Sequence, residues 1–117
     1  MKENVVLAKS KLFAIRVIRL YQYLKDNKKE YLLSKQLLRS GTSIGANIKE
    51  GVVAMSKKEF IAKLNISYKE ANETEYWLEL LHETDYLTDS EFESISSDCK
   101  ELIKLLASII KTSNGQL

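Results

Sequence analysis

Not one proline interrupts the 117 residues, and its four glycines, Gly41, Gly45, Gly51 and Gly115, are spread thinly. Sheets and long loops need that punctuation, so its scarcity leaves long helices as the structure such a chain can form. A hydrophobic fraction of 44% and a charged fraction of 29% are those of a soluble globular protein that folds throughout. At this length a single domain buries one core without disulfide or metal staples. Cys99 is the lone cysteine, which excludes an internal disulfide framework and suits a reducing compartment. Charges flank the short apolar patch near the N-terminus, and no apolar run approaches the roughly 18 residues of a membrane span. Neither secretion nor membrane contact is expected, and a cytoplasmic location is.

Hydrophobic spacing divides the chain into four helical segments, at about 3–26, 30–54, 57–85 and 89–112. The first is unusual, because 14 of residues 5–24 are apolar, more than one face of a helix holds. Its polar remainder is assigned to a narrow stripe through Lys9, Arg16, Arg19, Gln22 and Asp26, which implies a second buried contact with another subunit. The second segment repeats Leu33, Leu37, Ser40, Ile44, Ile48 and Gly51 at steps of three and four. Each interior glycine costs about 1 kcal/mol against alanine, so either a neighbouring helix approaches closely there or the helix breaks near Gly41. Ser56-Lys57-Lys58-Glu59 has capping-box form and opens the third helix, cored by Phe60, Leu64, Ser67, Ala71, Thr74, Leu78 and Leu81. Thr88-Asp89-Ser90-Glu91 repeats that chemistry before Phe92, Ile95, Cys99, Leu102, Leu106 and Ile109, and the residues after Gly115 are expected to fray. Short turns between such helices make an all-α, up-down-up-down four-helix bundle.

The net charge of +2 hides a strong asymmetry. Residues 1–69 hold 15 Lys+Arg against 5 Asp+Glu, and residues 70–117 hold 3 against 11. Such polarity serves self-association or presents a basic surface to an anionic partner, and the turns at 25–29 and 85–91, sharing one end, are expected to pair some of it internally.

With one histidine and one cysteine, most catalytic constellations cannot be assembled. Glu79-Leu80-Leu81-His82 has the Glu-x-x-His spacing of bundle metal sites but lacks the second copy that they need. Cys99 falls on a core seam as a small apolar residue. No nucleotide-cradling glycine pattern is present, so no catalytic residue, metal, cofactor or small-molecule substrate is assigned. Polar residues on apolar faces say more: Asn47 and Glu50 on the second helix, and Glu70, Glu73 and Glu75 on the third. Where buried they need partners, with Arg39, Lys63 or a helix of the next subunit as candidates, and such a network can fix register and subunit orientation.

Residues 34–51, and within them Ser43-Ile44-Gly45-Ala46-Asn47-Ile48-Lys49-Glu50-Gly51, resemble the signature of the bacterial four-helix-bundle family first named for reading frames inside 23S rRNA intervening sequences. Lys69-Glu70-Ala71-Asn72-Glu73-Thr74-Glu75-Tyr76-Trp77-Leu78-Glu79-Leu80-Leu81 is similar to the helix-three signature of one branch of it. The resemblance covers essentially the whole chain and marks Ser43, Asn47, Glu50, Gly51 and Glu73 as signature positions. It implies a left-handed bundle, a ring-shaped homopentamer and no established catalytic role. The chain is also similar to the accessory proteins of diversity-generating retroelements, whose basic pentameric barrels bind nucleic acid and reverse transcriptase; its acidic second half sets it apart from those.

Together these readings lead to a non-enzymatic homo-oligomer that binds RNA or another nucleic acid, or accompanies the ribosome. Candidate phosphate contacts are Lys9, Lys11, Arg16, Arg19, Lys28, Lys29, Lys57 and Lys58, the alternative being that they form a solvated face. The other functional reading is a scaffold that binds protein through the ring or its acidic half and has no nucleic-acid role.

Overall fold

The structure is a computed structural model that describes residues 2–115. Four helices, α1 (Lys2–Asn27), α2 (Leu33–Val52), α3 (Lys57–Glu83) and α4 (Asp89–Ser113), form an all-α, up-down-up-down bundle of 44 × 24 × 19 Å. Around this square α1 packs on α2 and α4, and α3 on the same two, with α1 and α4 the loosest neighbours. Among the described residues no helix is long and apolar enough to cross a membrane. Gln116 and Leu117, where fraying was expected, lie outside the described residues.

The three- and four-residue spacings turn one face of each helix inward. Val6, Phe13, Val17 and Leu24 of α1 meet Leu37, Ile44 and Ile48 of α2, Leu64, Leu78 and Leu81 of α3, and Leu102 and Leu106 of α4 in one buried cluster. Full burial of each such side chain stabilises by about 1.5–3 kcal/mol before ordering entropy is charged against it. Two small polar residues at core positions of α3 are satisfied by α2: Ser67 Oγ donates to Ile44 O at 2.8 Å, and Thr74 Oγ1 to Ser40 Oγ at 2.9 Å.

Helix α2 runs unbroken through its glycines, and the reason is close approach. A Cβ on Gly41 would meet Val17 of α1 at 2.8 Å, one on Gly45 would meet Ser10 Oγ at 3.0 Å, and one on Gly51 would meet Leu64 of α3 at 2.9 Å. The lost helix propensity is thus offset by close helix packing, tightest at Gly41, where both branches of Val17 face the missing Cβ.

Two helix starts follow the capping signals. Thr88 and Glu91 form a reciprocal capping box, at 3.1 and 2.8 Å. At α3, Ser56 Oγ accepts from Glu59 N–H, while the Glu59 carboxylate reaches one residue further back to Met55 N–H, each at 3.1 Å. The start of α2 differs from the expected Glu30: the helix begins at Leu33, and Glu30 stands before it as the cap. Its carboxylate accepts from the N–H groups of Leu32, Leu33 and Ser34 at 3.0, 2.8 and 2.7 Å. Those bonds hold its pKa down, although burial alone would push it up.

Candidate interaction surfaces

The polar residues of α1 do not form one stripe. Lys9 and Arg16 turn toward α4, where Lys9 Nζ lies 3.2 Å from Glu101 and Arg16 2.7 Å from Asp98, with further bonds from Arg16 to Ser94. Part of the charge asymmetry is therefore paired along the α1–α4 seam. At the shared end, by contrast, Lys25 faces Asp26, Lys29 Nζ donates to Asp26 O, and Asp89 is taken by His82. Arg19, Gln22 and Asp26 do point outward. Toward the N-terminus the same outward face is apolar: Val5, Ala8, Leu12 and Ile15, spaced three, four and three, are all exposed, Leu12 by 66%.

Beside this stripe a groove of about 580 Å³ runs between α1 and α2. Its lining includes Leu7, Ala8, Ala14, Gly45 and Ala46, with Lys11 and Lys49 among its polar members. Small side chains on both helices keep it open, the same property that lets α2 approach α1. A second groove, at the α1–α4 seam, contains Arg16, Arg19, Tyr23, Ser94 and the carboxylate of Glu91, so its charge is mixed.

The signature positions gather at the α2–α3 seam. Arg39 spans two carboxylates of α3, donating to Glu70 at 3.1 Å and to Glu73, and Glu73 also accepts from Trp77 Nε1 at 3.0 Å. Ser43 Oγ donates to Arg39 O at 2.6 Å, and Asn47 Nδ2 to Ser43 O at 2.8 Å, both within α2. Glu50 pairs with Lys63 at 2.8 Å, and that bond raises the Lys63 ammonium pKa. The network ties α2 to α3 within one protomer, through the partners Arg39 and Lys63.

Of the candidate phosphate contacts, Lys9 and Arg16 are thus engaged with carboxylates. Lys11, Arg19, Lys28, Lys57 and Lys58 are exposed, and among the described residues none of these five pairs with an acid. They do not converge: Lys28 and Lys29 occupy one end of the bundle and Lys57 and Lys58 the other.

His82 stacks on Phe92, ring centroids 4.3 Å apart, with Nε2 2.7 Å from Asp89. Cys99 is buried and donates to Ala71 O at 3.3 Å; its thiol pKa is pushed up to about 12, first by burial and then by the Glu75 and Asp98 carboxylates. No group of three or more metal-ligating side chains occurs among the described residues.

A family model described as 23S rRNA-intervening sequence protein matches residues 2–108. A crystal structure of a Bacteroides thetaiotaomicron protein of unknown function, from the S23 ribosomal protein family, is similar at 59% identity and a TM-score of 0.93, over 95% of this chain and 99% of that one. No curated protein matches.

Proposed function

Because the chain belongs to the 23S rRNA-intervening sequence protein family, we propose that it is a non-catalytic, self-assembling cytoplasmic module whose assembled copies offer their unpaired cations to RNA. The observation that carries this reading is the outward stripe of α1. A complete core already lies on the opposite face, yet Val5, Leu12 and Ile15 remain 48, 66 and 40% exposed in register. A contiguous apolar face rimmed by polar residues is the usual mark of a contact surface, and a second copy is the partner always present.

Five copies in a ring is the stoichiometry that the family resemblance suggests. RNA as the partner is favoured by the free cations Lys11, Arg19, Lys28, Lys57 and Lys58, and by the family's name. Light scattering on size-exclusion fractions tests the assembly: a homo-oligomer at micromolar concentration that Leu12→Glu converts to a folded monomer is the expected result, and a monomeric parent protein refutes it. Structured RNA titrated at rising salt tests the partner, since released counterions make phosphate binding fall steeply. The exposed carboxylates Glu79, Glu83, Asp85 and Glu93 of α3, α4 and their connection favour the second reading, a protein scaffold. Partners that survive nuclease treatment would support that one.

A further inference from the structure

The connection between α2 and α3 presents aliphatic side chains to water in a fixed shape. Val52, Val53 and Met55 are 39, 67 and 93% exposed. They are not on a loose loop: Ala54 N–H donates to Gly51 O at 3.1 Å, and Met55 N–H and Glu59 N–H are held by the crossed bonds with Glu59 and Ser56.

Around this tip exposed lysines outnumber the acids. Lys49, Lys57 and Lys58 flank it in sequence, and Lys111, in the last turn of α4, lies at the same end of the antiparallel bundle. All four are exposed and, among the described residues, pair with no acid. Of the local acids, Glu50 is paired with Lys63, and Glu59 accepts from the uncharged Met55 amide. The opposite end, where Tyr31 and Leu32 are exposed, mixes Lys28 and Lys29 with Asp26, Glu83, Asp85 and Asp89 and has no such polarity.

We propose that this end of the bundle docks on an anionic lipid surface. Val53 and Met55 enter the boundary between headgroups and acyl chains, and Lys49, Lys57, Lys58 and Lys111 meet the lipid phosphates. Protruding aliphatic side chains ringed by unpaired lysines match an interface that is apolar below and anionic at its face. RNA would satisfy the lysines but leave Val53 and Met55 in water, since the ring beside them, Phe60, is half-buried against the core and not splayed for base stacking. The contact is peripheral, consistent with helices too polar to span, and it departs from the sequence expectation of no membrane contact, which weighed spanning and secretory segments alone. It goes beyond the proposed function: it shares Lys57 and Lys58 with the RNA reading but needs neither the α1 stripe nor RNA.

The test uses the full chain carrying Met55→Cys with an environment-sensitive fluorophore, Cys99 being buried and left unlabelled. Nuclease-treated protein is mixed with vesicles of phosphatidylcholine alone, or of phosphatidylcholine with phosphatidylglycerol. The expected result is co-sedimentation and a blue-shifted label with the anionic vesicles only. Val53→Asp, at an exposed position that leaves helix content unchanged, weakens partitioning about tenfold; Lys57→Ala with Lys58→Ala weakens it by about fivefold per lysine. Absence of sedimentation with anionic vesicles overturns the proposal. So does sedimentation in which the label stays in water and Val53→Asp has no effect.

Discussion

Gly41 of α2 and Val17 of α1 meet with no room for a methyl group between them: a Cβ on Gly41 would lie 2.8 Å from Val17 Cγ1 and 2.9 Å from Cγ2. Both contacts are with branches of a fully buried, β-branched side chain, which has one strongly preferred rotamer in a helix and cannot swing aside. Gly41→Ala gains about 1 kcal/mol of helix propensity but incurs an overpacking cost of about 1–3 kcal/mol. A net loss in urea unfolding is the expected outcome, reduced or reversed in a Val17→Ala background. Gly45→Ala faces only Ser10 at 3.0 Å, nearest through its small hydroxyl, and should be close to neutral. Equal losses at the two glycines would show that close approach to α1 is not what selects Gly41.

Glu30 makes stability depend on acid. Its folded pKa lies below the ordinary carboxylate value of 4.5, because the three backbone bonds together outweigh desolvation, the largest single cause, which acts the other way. A depressed folded pKa means that the unfolded chain takes up the proton first. The stabilisation is therefore fully present above the ordinary value and is lost as pH falls through the folded one. Glu30→Ala should cost roughly 2 kcal/mol at pH 7 by orphaning three donors at the start of α2, and the difference from the parent protein should shrink in melts taken at progressively lower pH. A difference that stays constant down to the acid transition would contradict the capping role.

One substitution should stabilise. Lys29 follows α1 with φ of 57°, a left-handed conformation in which its Cβ is crowded. The geometry is that of a helix stop, Glu30 N–H donating to Leu24 O at 3.0 Å. Lys29→Gly removes the strain and loses one exposed bond, from Lys29 Nζ to Asp26 O. The expected gain is about 0.5–1 kcal/mol, read as a higher melting temperature.

The core of α2, α3 and α4 was legible because buried positions recur at steps of three and four wherever one face of a helix is covered. Leu37, Ile44 and Ile48, Leu64, Leu78 and Leu81, and Ile95, Leu102 and Leu106 all follow that rule and are buried. Arg39 and Lys63 could likewise be named as partners for the carboxylates of the α2–α3 seam, since few cations lie within reach of it. The start of α2 was not legible: Glu30, Tyr31 and Leu32 are compatible with helix, and only the left-handed Lys29, a residue without the glycine signal, delays the start to Leu33. The destination of Lys9 and Arg16 was hidden for another reason. Helical phase places a side chain on its own helix but does not say which neighbour stands opposite, and here that neighbour is α4, more than 70 residues away in sequence.

Cys99 should report global unfolding. A buried thiol with its pKa pushed up to about 12 has almost no thiolate near neutral pH, and the thiolate is the nucleophile. Reaction with a disulfide reagent in native buffer should therefore run no faster than unfolding, and should become rapid at the urea concentration where helix is lost. Fast labelling of fully helical protein would mean that the α3–α4 seam opens locally.

The α1–α4 seam predicts which cations count if RNA binds. Lys9 and Arg16 are already held by Glu101 and Asp98, so a phosphate that reaches them must displace a carboxylate and gains little net charge interaction. Lys11 and Arg19 have no such competitor among the described residues. Each true phosphate contact adds about 0.7–0.9 to the slope of log affinity against log salt. Lys11→Ala and Arg19→Ala should each lower that slope by close to one contact, whereas Lys9→Ala should barely change it. Glu101→Gln should have the opposite effect and raise affinity, because it frees Lys9. If removing the paired and the unpaired cations reduces the slope alike, the seam pairs give way on binding and the bundle's internal electrostatics do not select the RNA surface.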